Sequence, residues 1–155
     1  MLHSRQIEGP MIVTEPIIQL VNSFFESYAH AIDNFDPKTL AWHYSLPCTL
    51  LSDESYVCFT DITKLESAFA QVKRFYAQHH ITHARAEVWN KRQWTDKIVN
   101  AKVHWEYFDA DNKPLYGCDY HYVLKPDKNN QLKIVLAVSV NEKEQTEAWL
   151  QSRNT

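Results

Sequence analysis

Apolar side chains recur at helical spacing in the first half of this chain and at every second position over much of the rest. Between Pro16 and Asn34 the apolar positions are Ile17, Ile18, Val21, Phe24, Phe25, Tyr28 and Ile32. Their steps draw one stripe along an amphipathic helix, and Pro16 suits its first turn. Asp36 followed by Pro37 supplies a capping side chain and a proline, which predicts a short second helix to about Tyr44. Pro47 stops helical continuation. Cys48 to Ser52 and Tyr56 to Phe59 read as short strands around a Ser52–Ser55 turn. Asp61 or Thr63 can cap a third helix, whose stripe is Leu65, Ala68, Phe69, Val72, Phe75 and Tyr76.

Beyond His80 the period becomes two. Ile81 to Gln93, Lys97 to Phe108, Leu115 to Leu124 and Leu132 to Val140 read as four strands. The second alternates most cleanly, with Val99, Ala101, Val103, Trp105 and Tyr107 on one face and Asn100, Lys102, His104 and Glu106 on the other. Trp94 to Asp96, Asp109 to Pro114 and Pro126 to Asn130 carry the turn residues between them. Connections this short make consecutive strands antiparallel neighbours. Glu142 to Gln151 closes the chain as a helix, and residues 1–13 lack a period and read as a loose lead-in to a single domain over 14–151. Helices first and sheet afterwards predict an α+β layer fold: a curved antiparallel sheet packed on about three N-terminal helices, with room for a pocket inside the curve.

Composition narrows the function. The 155 residues are 45% hydrophobic, with 5 Trp, 8 Tyr and 7 Phe, so a sizeable core is built. Net charge is −3 and the 16 basic residues never cluster, which argues against a nucleic-acid partner. No apolar run approaches the roughly 20 residues that span a bilayer, so no membrane role is expected. Met1 to Pro10 is polar and does not read as a secretion signal. Cys48, Cys58 and Cys118 are odd in number and form no CxxC pair, which points to reduced thiols and a cytoplasmic setting.

The element order, the run Tyr28 to Asp36, the following Leu40 and Ala41, and a strand entering at Thr49 to Leu51 together resemble the NTF2-like superfamily. The likeness is to its ketosteroid-isomerase and SnoaL-like branch, over roughly residues 14–140. The resemblance implies a cone-shaped α+β fold with an interior pocket. It leaves the chemistry open, because this fold hosts isomerases, dehydratases, cyclases, hydrolases and modules that only bind. Related isomerases use a tyrosine and a protonated aspartic acid as oxyanion donors and a second carboxylate as base. By the resemblance, Tyr28 takes the place of that tyrosine and Asp119 falls near the oxyanion aspartate. His121, two residues on, shares a strand face with Asp119 and could pair with it. The base would align at Ser52, and serine cannot do that work. Asp53 is adjacent, but one residue's slip turns a strand side chain to the opposite face.

Other constellations compete. His79, His80 and His83 form an HHxxH string without the glutamate or cysteine that would complete a metal shell, so no metal is expected. Arg85 and Glu87 fit a surface ion pair, or an arginine–carboxylate clamp. Gly9 and Gly117 are too few for a phosphate loop. The candidate catalytic set is therefore Tyr28, Asp119 and His121, with Phe24, Trp42, Phe69, Val103 and Trp105 as the expected greasy pocket wall. Two functions follow from this set. One is proton-transfer catalysis on a small apolar or amphipathic molecule without a cofactor; the other is a non-catalytic ligand-binding or dimerisation module. A homodimer is expected through the convex sheet face, on the strength of Tyr116, Tyr120, Tyr122, Trp89 and Val135.

Overall fold

The computed structural model describes residues 11–154. Its elements run β1 (Met11–Ile12), α1 (Ile17–Asp33), α2 (Pro37–Trp42), β2 (Tyr44–Leu51), β3 (Tyr56–Phe59), α3 (Ile62–Gln78), β4 (His83–Thr95), β5 (Ile98–Phe108), β6 (Pro114–Pro126), β7 (Gln131–Ser139) and α4 (Glu142–Ser152). Local chemistry explains the boundaries. The Asp36 carboxylate accepts from the Lys38 N–H at 3.1 Å and the Thr39 hydroxyl at 3.0 Å, capping α2. Asp61, rather than Thr63, caps α3 by accepting the Thr63 N–H at 2.8 Å. That helix stops where His80 takes a left-handed φ of 60° and the Ile81 N–H reaches back to the Tyr76 carbonyl at 2.9 Å.

The strands form one curved sheet in the order β3-β2-β7-β6-β5-β4, with β1 also paired to β7. The expectation of a wholly antiparallel sheet is corrected at one seam, because β2 lies parallel to β7. Short turns dictate antiparallel pairing only between consecutive strands, and these two are far apart in the chain. β2 also begins at Tyr44, four residues before the expected start, next to the Ile134 N–H that donates to the His43 carbonyl at 2.8 Å. The lead-in expected for residues 1–13 lies outside the described residues up to Pro10. Met11 and Ile12 are not loose, since they pair with Leu132 and Gln131.

Helix α1 lays its apolar stripe across the inner face of the sheet. Val21, Phe24 and Phe25 on the helix and Val99, Ala101, Val103 and Trp105 on β5 are fully buried there. The alternation read in β5 therefore holds residue by residue. Burial of each valine and phenylalanine here contributes about 1.5–3 kcal/mol, which is why the stripe and the period-2 face find each other.

Two polar side chains, Ser27 and His43, are buried in this core and bond each other. His43 is fully buried, with its Nδ1–H donating to the Thr39 carbonyl at 2.8 Å and its Nε2 accepting the Ser27 hydroxyl at 2.9 Å. A carbonyl can only accept, which places a proton on Nδ1, and the ring is neutral at pH 7 because burial disfavours its charged form. Burial pushes its pKa from 6.5 down to about 4. The unfolded chain thus binds a proton that the fold refuses, and stability falls as pH drops from 6.5 toward 4, by up to about 1.4 kcal/mol per pH unit. Urea titrations at several pH values should show this contribution as a steeper slope in wild type than in His43→Gln; equal slopes in both proteins would contradict it. Ser27→Ala strands the buried Nε2 and should cost about 1–3 kcal/mol at pH 7.

Candidate functional site

Between the inner face of the sheet, α1, α3, the β2–β3 hairpin and the start of α4 lies a cavity of about 800 Å³. Its floor is aromatic, built by Tyr28 of α1, Tyr44 of β2, Trp105 of β5 and Tyr122 of β6. Its mouth is polar and more exposed, with Glu54 and Ser55 of the hairpin, Gln71 of α3, and Lys143 and Glu147 of α4. Phe69, Phe75 and Tyr76 of α3 cover one side.

The floor carries hydroxyl protons that the protein has not spent. Tyr28 and Tyr44 share one hydrogen bond of 2.8 Å between their hydroxyls, which uses one of their two protons. The Tyr122 hydroxyl accepts the Trp105 Nε1–H at 2.9 Å, and its own proton is not consumed in that bond. Burial drives the pKa of all three phenols above the ordinary tyrosine range. They stay protonated and act as donors. A floor with spare hydroxyl protons can donate to a ligand that presents an acceptor oxygen.

Glu142 is the acid of the cavity wall that is not at the solvent-washed mouth. It is the first residue of α4, half-buried, and accepts the Tyr120 hydroxyl at 2.5 Å. Burial raises its pKa above 4.5, and the Tyr120 bond offsets that only in part. The backbone of β6 fixes it in place. The Asp119 carbonyl accepts the Val140 N–H at 2.9 Å, and the Asp119 N–H donates to Asn141 Oδ1 at 2.8 Å. The Ser139 hydroxyl accepts the Glu142 N–H at 3.1 Å.

The residues singled out from the sequence divide between two faces. Tyr28, Phe69 and Trp105 line the cavity. Phe24 and Val103 are solidly packed behind it, Phe24 with its ring against Phe25 and His43. Trp42 projects outward from the end of α2, 54% exposed, and lines a separate hollow with Pro47 and Lys125. Asp119 and His121 stand on the opposite face of β6 from Tyr120 and Tyr122, so the structure does not bring them to Tyr28. The Asp119 carboxylate accepts from His104 Nδ1 at 2.6 Å, and the His104 ring stacks flat on Trp89 at 4.4 Å. His121 lies opposite Lys102 and Val138. Ser52 is at the cavity mouth, where its hydroxyl accepts the N–H groups of Glu54 and Ser55 and shapes the turn; exposed Asp53 lies off the lining.

The histidine string is likewise dispersed. His79 accepts from Arg153 at 3.1 Å, His80 ends α3, and His83 bonds Asp33 at 2.8 Å. Among the described residues no group of three His, Cys, Asp or Glu is placed to hold a metal. Arg85 lies over the Phe108 ring and Glu87 accepts from Trp89, so neither forms a clamp with the other.

The family model described as NTF2-like protein (DUF6841) matches residues 14–142. The chain belongs to this NTF2-like family. Solved structures agree on the fold at low identity. A domain of unknown function with a cystatin-like fold from Nostoc punctiforme has a TM-score of 0.66 at 10% identity, covering 90% of this chain and 86% of its own. A ketosteroid isomerase-like protein from Erwinia carotovora atroseptica gives 0.60 at 9% identity, with 79% and 94% covered. A protein from Catenulispora acidiphila in complex with S-DNPA gives 0.62 at 13% identity, with 85% and 97% covered. No curated protein matches the chain.

In this NTF2-like cavity the Glu142 carboxyl should titrate above 4.5 when followed by carbon-13 NMR of labelled glutamate. Tyr120→Phe removes the bond that lowers the pKa and should move the titration higher still. A midpoint at or below 4.5, or a downward move in Tyr120→Phe, would contradict the geometry described.

Proposed function

We propose that this NTF2-like chain binds a small, mostly apolar organic molecule in the cavity, holds one of its oxygens at the tyrosine floor, and exchanges a proton with it through Glu142. The observation that carries this reading is one desolvated carboxyl facing unspent phenol protons across an aromatic cavity. A volume near 800 Å³ suits a drug-sized molecule. Phenol donors at Tyr28, Tyr44 and Tyr122 bind an oxygen more tightly as negative charge develops on it. A carboxyl with a raised pKa is better matched to giving and taking protons near neutral pH. This chemistry calls for no cofactor. Support by analogy comes from the small molecule in the Catenulispora complex and from the isomerase-like neighbour.

Ser52 favours a second reading, binding without chemistry, because by the resemblance it falls where the related isomerases have their base. Two further parts of the proposal concern setting and assembly. Free Cys48, Cys58 and Cys118 support a reducing, cytoplasmic location. No helix among the described residues is long and apolar enough to cross a membrane. A homodimer would use the outer sheet face. Tyr116, Tyr120 and Tyr122 line the cavity and cannot serve it. Exposed Trp89 and the cross-strand neighbours Val123, Leu136 and Val138 can.

A thermal-shift screen of metabolites and lipids should find neutral or amphipathic stabilisers, because a ligand of the folded state raises stability by mass action. Each hit is then incubated in D2O with the protein and followed by proton NMR. Wild type should exchange a carbon-bound proton of the hit, and Glu142→Gln should slow this roughly 100-fold or more. Tyr122→Phe should weaken binding by about 1 kcal/mol. Hits that bind without exchange would leave the binding reading, and nucleotides as the best stabilisers would sink both. For assembly, sedimentation equilibrium should give twice the monomer mass for wild type and the monomer mass for Leu136→Lys; a monomer in both would rule the dimer out.

A further inference from the structure

Helix α4 contributes the acid and one side of the cavity mouth, yet it has no buried residue. Every other wall is the sheet, a hairpin within it, or a helix with core side chains: α1 buries eight residues and α3 buries Leu65, Phe69 and Tyr76. What ties α4 down is concentrated at its two ends. At the start, Val140 and Asn141 are bonded to the backbone of Asp119, as described above. Toward the end, Trp149 stacks on Tyr116 with ring centres 4.8 Å apart and an interplanar angle of 24°. One turn earlier the Thr146 hydroxyl donates to the Tyr116 hydroxyl at 3.3 Å. Arg153 lies over Trp149 at 4.6 Å and donates to His79 Nδ1 at 3.1 Å, reaching the end of α3.

We propose that α4 is a movable wall of the cavity, pivoting at Asn141, and that Trp149 is the positioning residue that holds it and Glu142 in place. The inference rests on the cavity being the ligand site and adds how a ligand gets in and what keeps the acid aligned. Segments held by few apolar contacts open at far lower free energy than the core does, and α4 is such a segment. Swinging it out exposes half-buried Trp149, breaks its ring contacts with Tyr116 and His79 and a few side-chain hydrogen bonds of Glu142, Thr146 and Arg153, and leaves the sheet ladder intact. Tyr116 connects the two ends of the device, since its ring lines the cavity and also carries Trp149. A ligand that packs on Tyr116 therefore presses on the surface that holds the wall shut.

The experiment uses the full chain and 1-anilinonaphthalene-8-sulfonate as an apolar probe in stopped-flow fluorescence. Ala68→Trp, which fills the cavity from α3, is the control for where the probe sits, and it should abolish binding. Trp149→Ala should raise both association and dissociation rates roughly three- to tenfold, the worth of one aromatic pair. Trp149→Phe, which keeps a ring on Tyr116, should restore rates near wild type, an outcome that a general loss of stability would not give. Unchanged rates in Trp149→Ala alongside a working control would overturn the movable wall and leave the site intact. If Ala68→Trp leaves probe binding unchanged, it is the site that fails, and hydrogen exchange then decides the wall without a ligand. Amides of residues 142–152 should exchange faster than those of α1, and faster again by three- to tenfold in Trp149→Ala. Exchange of α4 as slow as that of β5, unaltered in Trp149→Ala, would overturn the proposal.

Discussion

A pleated strand sends successive side chains to opposite faces, and strand β6 is where this rule has the largest consequence. Its even-numbered residues, from Tyr116 through Cys118, Tyr120 and Tyr122 to Leu124, face the buried side of β5. Its odd-numbered residues, Gly117, Asp119, His121 and Val123, face outward. The inner set makes a largely desolvated wall of phenols along the cavity, with Tyr122 buried and Tyr116 and Tyr120 half-buried. That desolvation keeps the tyrosines protonated, leaves hydroxyl protons to be claimed by a ligand, and lifts the pKa of Glu142. The outer set is tied into a surface network in which Asp119 orients His104 against Trp89. Gly117 is part of the same packing, because a Cβ there would meet Glu106 Oε2 and the Trp105 carbonyl at 2.6 Å.

The two faces are nevertheless linked through one backbone. Asp119 sends its carboxylate outward to His104, while its N–H and carbonyl hold Asn141 and Val140. A residue with no side chain in the cavity thereby sets the position of the acid that is in it. His43 plays a comparable role at the far end of the core, joining α1 to the end of α2 by spending both ring nitrogens on Ser27 and Thr39.

Much of the fold was legible in the chain because its signals are local and periodic. The α1 stripe, the Asp36 cap and the alternation of β5 each follow from spacing alone, while the cap of α3 was narrowed to Asp61 or Thr63. The parallel seam between β2 and β7 was not legible, since nothing local in Tyr44 to Leu51 names a partner more than 80 residues away. The site was legible only in part. Tyr28 was placed by its spacing to Asp36, and Phe69 and Trp105 by their stripes. Asp119 and His121 drew attention as a polar pair on a strand, but a polar pair on an alternating strand marks the wetter face more readily than the cavity. Glu142 was missed because it belongs to a helix with a weak apolar pattern. A signal existed: only Val140 and Asn141 separate it from Ser139, itself on the cavity wall, so the first residue of α4 had to land beside that wall.

The central claim is that ligand chemistry belongs to the phenol-lined interior and not to the polar outer face. It is tested most directly by NMR on protein carrying carbon-13 labels in its tyrosine and histidine rings, titrated with a stabilising ligand. The account predicts that resonances of Tyr28, Tyr44, Tyr120 and Tyr122 shift together while His104 and His121 stay in place. Shifts confined to His104 and His121, with the interior tyrosines unmoved, would contradict it.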